Sequence, residues 1–156
     1  MTTAAAGIAR KADHVGQWRI LEDVAVADCA LDLEARDVDD LFETAALALV
    51  DLMVDPSTVA VSVERSVTLD AVELDLLLYD WLSELIFLKD RDRQVFTSCR
   101  VRVSQATPCQ LRAELRGGAI ESGRTTLRAD PKAVTLHQFA LEPTEDGWRA
   151  RVVIDI

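Results

Sequence analysis

The sequence predicts an α+β fold, with two helices packed on a largely antiparallel or mixed β-sheet. Three observations carry this reading. Apolar and polar residues alternate with a period of two between Trp18 and Ala35. Two later stretches switch to helical spacing, and the C-terminal third returns to alternation interrupted by turn residues, without the regular strand–helix rhythm of a parallel sheet. At 156 residues the chain has the length of one domain. A chain of that size buries roughly 70% of the surface that its unfolded form exposes, so it needs neither disulfides nor metals to hold its fold. The expected division is a flexible tail over residues 1–15 and a single domain over 16–156.

The elements follow in order. Residues 1–15 show no usable period and few large apolar groups, and His14 in this tail has no expected role. Trp18 and Ile20 share one side of an extended segment. Cys29, Leu31, Leu33 and Ala35 then alternate with Asp28, Ala30, Asp32 and Glu34, as in a half-buried strand. From Asp37, a suitable N-cap, the positions Val38, Leu41, Phe42, Ala45, Leu49, Leu52 and Met53 make one apolar helix stripe, which Asp55-Pro56-Ser57 ends. Val59, Val61, Val63 and Val67 predict a β-branched strand. A second helix is expected to open at Asp70, with Glu73 as its capping-box partner, and to turn Leu74, Leu77, Leu78, Trp81, Leu85 and Leu88 inward.

Strands are expected over 94–104, 109–116, 132–142 and 147–155, with turns at Thr107-Pro108, Gly117-Gly118 and Glu145-Asp146-Gly147. The polar stretch 117–131 is the one long irregular segment and the expected flexible feature.

Composition excludes several functions. The formal net charge is −10, from 27 acidic and 17 basic side chains. That argues against a module that wraps nucleic acid, because Lys and Arg on phosphates supply most non-specific affinity. The charge is uneven: residues 1–93 hold 20 acids and 8 bases, whereas residues 94–156 hold 7 acids and 9 bases. No apolar run reaches the ~20 residues of a membrane helix, and a cytoplasmic protein is expected. Cys29, Cys99 and Cys109 are odd in number and form no CxxC pair, so they read as small core residues.

No nucleophile elbow, phosphate loop, dinucleotide fingerprint or zinc-helix motif occurs, and His137, on an expected strand, reads as a core or edge histidine. What remains is hard oxygen. Converging carboxylates repel one another and are relieved by Ca²⁺, Mg²⁺ or Mn²⁺. Composition alone does not choose among 27 acids. One arrangement stands out: Asp155 and the carboxylate of Ile156 lie together at the end of an apolar strand anchored by Val152 and Ile154.

Several segments, spread over about residues 18–156, resemble the archease family. Ala25-Val26-Ala27-Asp28 stands where the family has His-Thr-Ala-Asp, so the aspartate is kept and the histidine is not. The run from Leu41 to Leu49, the exit Leu52-Met53-Val54-Asp55-Pro56, the Asp80 to Leu85 stretch, Lys132 to His137 and the end from Trp148 to Ile156 complete the likeness. Pro131, just before Lys132, departs from it. The resemblance implies an accessory protein, not itself an enzyme, that serves an RtcB-type RNA ligase in tRNA splicing and RNA repair. It would promote metal- and GTP-dependent guanylylation of that ligase and meet RNA only through it. It also implies Asp28 and Asp155 as ligands of a divalent ion, a main-chain oxygen from Ile156, and Lys132 as the accompanying basic residue, placed to meet phosphate or a ligase group. A self-sufficient metal-dependent hydrolase using Asp28, Asp155 and His137, and a chaperone-like partner of an RNA-modifying enzyme, are the alternatives.

Overall fold

The computed structural model describes residues 16–22 and 28–156. The expected tail over 1–15 and the Ala25 position of the first motif lie outside the described residues. The element order is β1 (Gln17–Glu22), β2 (Asp28–Ala35), α1 (Val38–Met53), a single 3-10 turn (Pro56–Thr58), β3 (Val63–Ala71), α2 (Leu74–Asp92), β4 (Gln94–Ser104), β5 (Cys109–Ala119), β6 (Ala133–Pro143) and β7 (Trp148–Asp155). The α+β class holds, and the strands divide between two sheets. One has four strands in the order β1-β2-β7-β6, and the other three in the order β3-β5-β4. Every pairing between these strands is antiparallel.

Helix α1 begins where expected. Asp37 is extended, and its carboxylate accepts the Asp40 main-chain N–H at 2.8 Å, which satisfies a donor that the first turn cannot. Its apolar stripe is buried against β1 and β2, and Trp18 on β1 donates its indole N–H to Asp51 of the helix at 3.1 Å. The same helix closes the open edge of β4. The main-chain N–H groups of Val101 and Val103 donate to the carboxylates of Glu43 and Asp39, both at 2.8 Å, so the edge donors find acceptors without another strand. Helix α2 is tied to α1 by the buried Trp81, whose indole donates to the Phe42 carbonyl at 2.9 Å.

Three expectations are corrected. Helix α2 starts at Leu74, not Asp70, and its Glu73 cap makes no side-chain capping bond. Asp70 and Ala71 continue the β3 ladder opposite Gln110 and Cys109, because three-stranded pairing outweighs a local capping pattern. The strand placed at Val59 begins at Val63. Asp55 caps the 3-10 turn by accepting from the Ser57 N–H, and the Val59 N–H closes that turn on the Pro56 carbonyl. Gly117-Gly118 is no turn and lies inside β5. A β-carbon on Gly117 would sit 1.9 Å from the Val95 carbonyl oxygen, and one on Gly118 would sit 1.9 Å from that of Ala60. These glycines serve close backbone approach, which looks like turn chemistry in a sequence.

The remainder of the expected loose loop is tied down along its length. Its main chain meets the end of α1 at Asp55, Met53 and Leu52, and Arg128 donates to the Asp51 carboxylate at 2.6 Å. Lys89, buried near the end of α2, donates to Asp130 at 2.5 Å and to the Pro131 carbonyl at 2.7 Å, and its ammonium also ion-pairs with Asp90 at 2.6 Å.

Gly117→Ala should destabilise the fold by about 3 kcal/mol, since an added methyl meets backbone on the partner strand. Gly123→Ala, in open space at a φ of +79°, should cost about 1–2 kcal/mol. Urea unfolding of the two variants checks the order. Acid stability supplies a second check. Hydrogen bonds from the Ser57 hydroxyl and N–H hold the Asp55 carboxyl below its ordinary range. A lowered folded-state pKa stabilises above the unfolded value of about 3.9, and that contribution is lost as pH falls through the folded value. Asp55→Asn should therefore make unfolding free energy fall less steeply below about pH 4 than in the parent, as read by denaturant titration at each pH.

Candidate functional site

Strands β2 and β7 pair in an unbroken register from Asp28 opposite Asp155 to Ala35 opposite Trp148. Cys29, Leu31 and Leu33, with Ile154, Val152 and Ala150 across from them, are buried in the core. Successive side chains point to opposite faces, so the intervening residues share the other face. That face presents four rungs: Asp28–Asp155, Ala30–Val153, Asp32–Arg151 and Glu34–Arg149.

The two rungs at the far end carry complementary charge. Asp32 accepts two hydrogen bonds from Arg151, at 2.6 and 2.7 Å, and these bonds raise the Arg151 pKa above the ordinary guanidinium value. Arg149 bonds Glu142 of β6 at 2.5 Å. An open concavity of about 510 Å³ lies at this end, but its charged walls include these satisfied pairs, so its size does not make it the chemical site.

The rung at the opposite end breaks the pattern. Asp28 and Asp155 are directly opposed, and both are half-buried. Directly opposed residues hold their β-carbons about 5 Å apart, and like charges there are destabilising. On the outer side of β7, Ala133 pairs with Asp155, and the Lys132 main-chain N–H donates to the Asp155 carbonyl at 2.7 Å. Lys132 is exposed, and its approach is set by the Pro131 carbonyl bound to Lys89. The proline that departs from the family pattern is buried and part of this anchor.

Thus Asp28 and Asp155 meet across the strands at one end of the four-stranded sheet, from positions more than a hundred residues apart, with Ile156 next in the chain and the Lys132 main chain bonded to Asp155. His137 does not join them and is not a core residue. It lies in the irregular stretch of β6 where pairing shifts between Thr135 and Ala140, and its main-chain N–H bonds the Thr135 hydroxyl at 3.3 Å. Its ring is exposed, because the bulge lifts it off the regular ladder. The sequence reading missed the Asp32–Arg151 pair. Their signal was the period-two spacing of Asp32 from Asp28 and of Arg151 from Asp155, which becomes a pair only when the register is known.

The donor chemistry fits a hard cation in part. Two carboxylates and main-chain oxygens suit Ca²⁺, Mg²⁺ or Mn²⁺, which prefer oxygen. Among the described residues no group of three His, Cys, Asp or Glu side chains forms a metal cluster, so two aspartates are the side-chain ligands on offer.

The fold defines a fully antiparallel two-sheet α+β protein, and comparison with known proteins names its family. The family model described as "Archease protein family (MTH1598/TM1083)" matches residues 18–156. The chain is 35% identical over 130 residues to "Protein archease" of Archaeoglobus fulgidus, covering 83% of this chain and 93% of that one. It is 37% identical over 119 residues to "Protein archease" of Methanosarcina acetivorans, covering 75% and 82%. The solution structure of Methanobacterium thermoautotrophicum protein 1598 is similar with a TM-score of 0.71 at 31% identity, covering 86% of this chain and 95% of that one. The chain belongs to the archease family.

Charge opposition across β2 and β7 makes a direct prediction. In the presence of a chelator, Asp28→Asn should stabilise the fold by about 0.2–1 kcal/mol by removing like-charge repulsion. Asp32→Asn should destabilise it by up to about 1 kcal/mol by breaking a partly exposed ion pair. Parallel urea unfolding curves give both signs.

Proposed function

We propose that this protein is an accessory factor of an RtcB-type RNA ligase, promoting the metal- and GTP-dependent guanylylation of that ligase and so its repeated turnover in tRNA splicing and RNA repair. Family membership supports the general role. The observation that carries the chemistry is the Asp28–Asp155 rung, an unfavourable pairing of negative groups on a face whose other charged rungs are complementary. A divalent cation relieves that repulsion. Asp28, Asp155 and a main-chain oxygen of Ile156 would hold it, and the ion, when bound, would neutralise phosphate charge as a Lewis acid.

The chain's own residues do the rest. The antiparallel ladder holds the two carboxylates at a fixed spacing, and the buried Lys89 anchor sets the entry of the Lys132 strand beside them. Lys132, exposed and next to Asp155, would meet a phosphate or an acidic group of the ligase. The excess of acids in residues 1–93 would supply a negative field that steers encounter with a basic active-site mouth, an effect that weakens as salt rises. The described residues contain no helix long and apolar enough to cross a membrane.

The test is ligase guanylylation with GTP and divalent metal, followed over several turnovers. The parent protein should sustain turnover, and Asp28→Ala and Asp155→Ala should each reduce the stimulation at least tenfold, about 1.4 kcal/mol in the barrier. Stimulation by both variants equal to the parent's would sink the reading. Melting with Ca²⁺, Mg²⁺ or Mn²⁺ reads binding separately: at a hundredfold excess over Kd the fold should gain about 2.7 kcal/mol, and both variants should lose that gain.

A further inference from the structure

We infer that the outward face of the three-stranded sheet binds the sugar-phosphate backbone of single-stranded RNA through Arg100, Arg102 and Arg112. The choice of RNA rests on the proposed ligase partnership, whereas the anionic character of the ligand rests on the face itself. Strands β4 and β5 come from the part of the chain where bases outnumber acids, and the register gathers their arginines. Arg102 and Arg112 are direct cross-strand partners, and Arg100 lies two residues from Arg102 on the same face. Neighbouring strands lie about 4.8 Å apart and same-face residues along a strand about 6.8 Å apart, so the three guanidiniums share one small patch.

All three side chains are exposed. Among the described residues none of the three makes an ion pair or a hydrogen bond. Of the acids on this face, Glu64 pairs with Arg116 at 3.5 Å, Glu114 opposite Arg100 accepts from the Ser66 hydroxyl at 2.7 Å, and Asp70 lies on the next same-face rung beyond Arg112, opposite Gln110. Arg102 opposite Arg112 is a directly opposed like-charge pair in which neither side chain is ion-paired among the described residues, and a polyanion removes the cost of that opposition. Elsewhere in the structure the rule is pairing, as with Arg65, Arg128, Arg149 and Arg151.

The rest of the face selects the kind of anion. From the Ser98–Arg116 rung to the Ser104–Gln110 rung, every outward position of β3, β4 and β5 is charged, hydroxyl-bearing or amide-bearing; the aliphatic Val95, opposite Gly118 beyond the bulge, is buried. Protein interfaces put apolar and aromatic residues at their centres and deplete charge there, so this surface lacks what a protein partner would bury. Arginine forks beside Ser, Thr and Gln are the groups that hold phosphates and ribose hydroxyls. Without an aromatic platform, binding should be indifferent to sequence. The net charge that argues against wrapping nucleic acid is thus an average over two unlike surfaces.

The experiment is fluorescence anisotropy with a labelled mixed-sequence RNA of about twenty nucleotides, in chelator, at salt concentrations from about 50 to 200 mM. The parent should bind at the low end with a log Kd that weakens steeply with log salt. Arg102→Ala/Arg112→Ala should bind at least tenfold more weakly and flatten that slope by about 1.4, the loss of two phosphate contacts. The double lysine variant at the same positions should keep most of the slope. If the alanine pair fails to fold by circular dichroism, Arg100→Ala/Arg102→Ala replaces it with the same expectation. The inference is overturned if the parent does not bind RNA at about 50 mM salt, if folded alanine variants bind like the parent, or if polyglutamate competes as well as RNA. It is equally overturned if sedimentation shows that the arginines instead join two copies of the chain. The assay contains neither ligase nor divalent ion, so its outcome is separate from that of the guanylylation assay.

Discussion

The pairing of β2 with β7 is the constraint on which the rest depends. It joins segments more than a hundred residues apart in an unbroken antiparallel register, and each step of that register does two things at once. On the inner face it aligns Leu31 with Val152 and Cys29 with Ile154 as the floor on which α1 lies. On the outer face it sets Asp32 against Arg151 and Asp28 against Asp155. A slip of one residue would exchange the faces, exposing the apolar set and burying the charges, so the hydrophobic effect that locks the core also locks the carboxylate rung. The candidate site therefore inherits its geometry from packing.

Polar groups then settle how the second sheet and the connections attach. Helix α1 is apolar toward β1 and β2, yet its Asp39 and Glu43 reach the free edge of β4 and accept main-chain hydrogen bonds there. One helix thereby serves both sheets, as a packing surface for one and an edge cover for the other. Lys89 does similar work for the long connection before β6: a buried ammonium that donates to Asp130 and the Pro131 carbonyl draws both to the end of α2 and brings the Lys132 main chain beside Asp155. Unpaired, such a group would be costly to bury, and the cost is what makes the anchor specific.

The two sheets also show how a single net charge conceals two surfaces. A rung of opposed aspartates at one end of the four-stranded sheet and a patch of unpaired arginines on the three-stranded sheet are both local violations of charge complementarity. Each lies on a face that also carries a satisfied ion pair, Asp32 with Arg151 on one and Glu64 with Arg116 on the other. Violations of that kind mark positions where the folded chain is completed by something of opposite charge.

Much of the architecture was legible in the residue pattern. Alternation marked β2 and β7, the spacing from Val38 to Met53 with Asp37 before it marked α1, and the stripe from Leu77 to Leu88 marked the buried face of α2. Two of the misreadings share one cause, since each turned on a non-local partner. Asp70 looks like a cap until Gln110 pairs with it, and Gly117-Gly118 looks like a turn until Val95 and Ala60 press against it. Asp28 could be singled out from 27 acids only by resemblance, because nothing local distinguishes it from Asp32 two rungs away. The sequence by itself determined the elements, their buried faces and the uneven charge, since those follow from period and composition. Only the tertiary structure decided which charges meet, because cross-strand register is set by contacts between residues far apart in the chain.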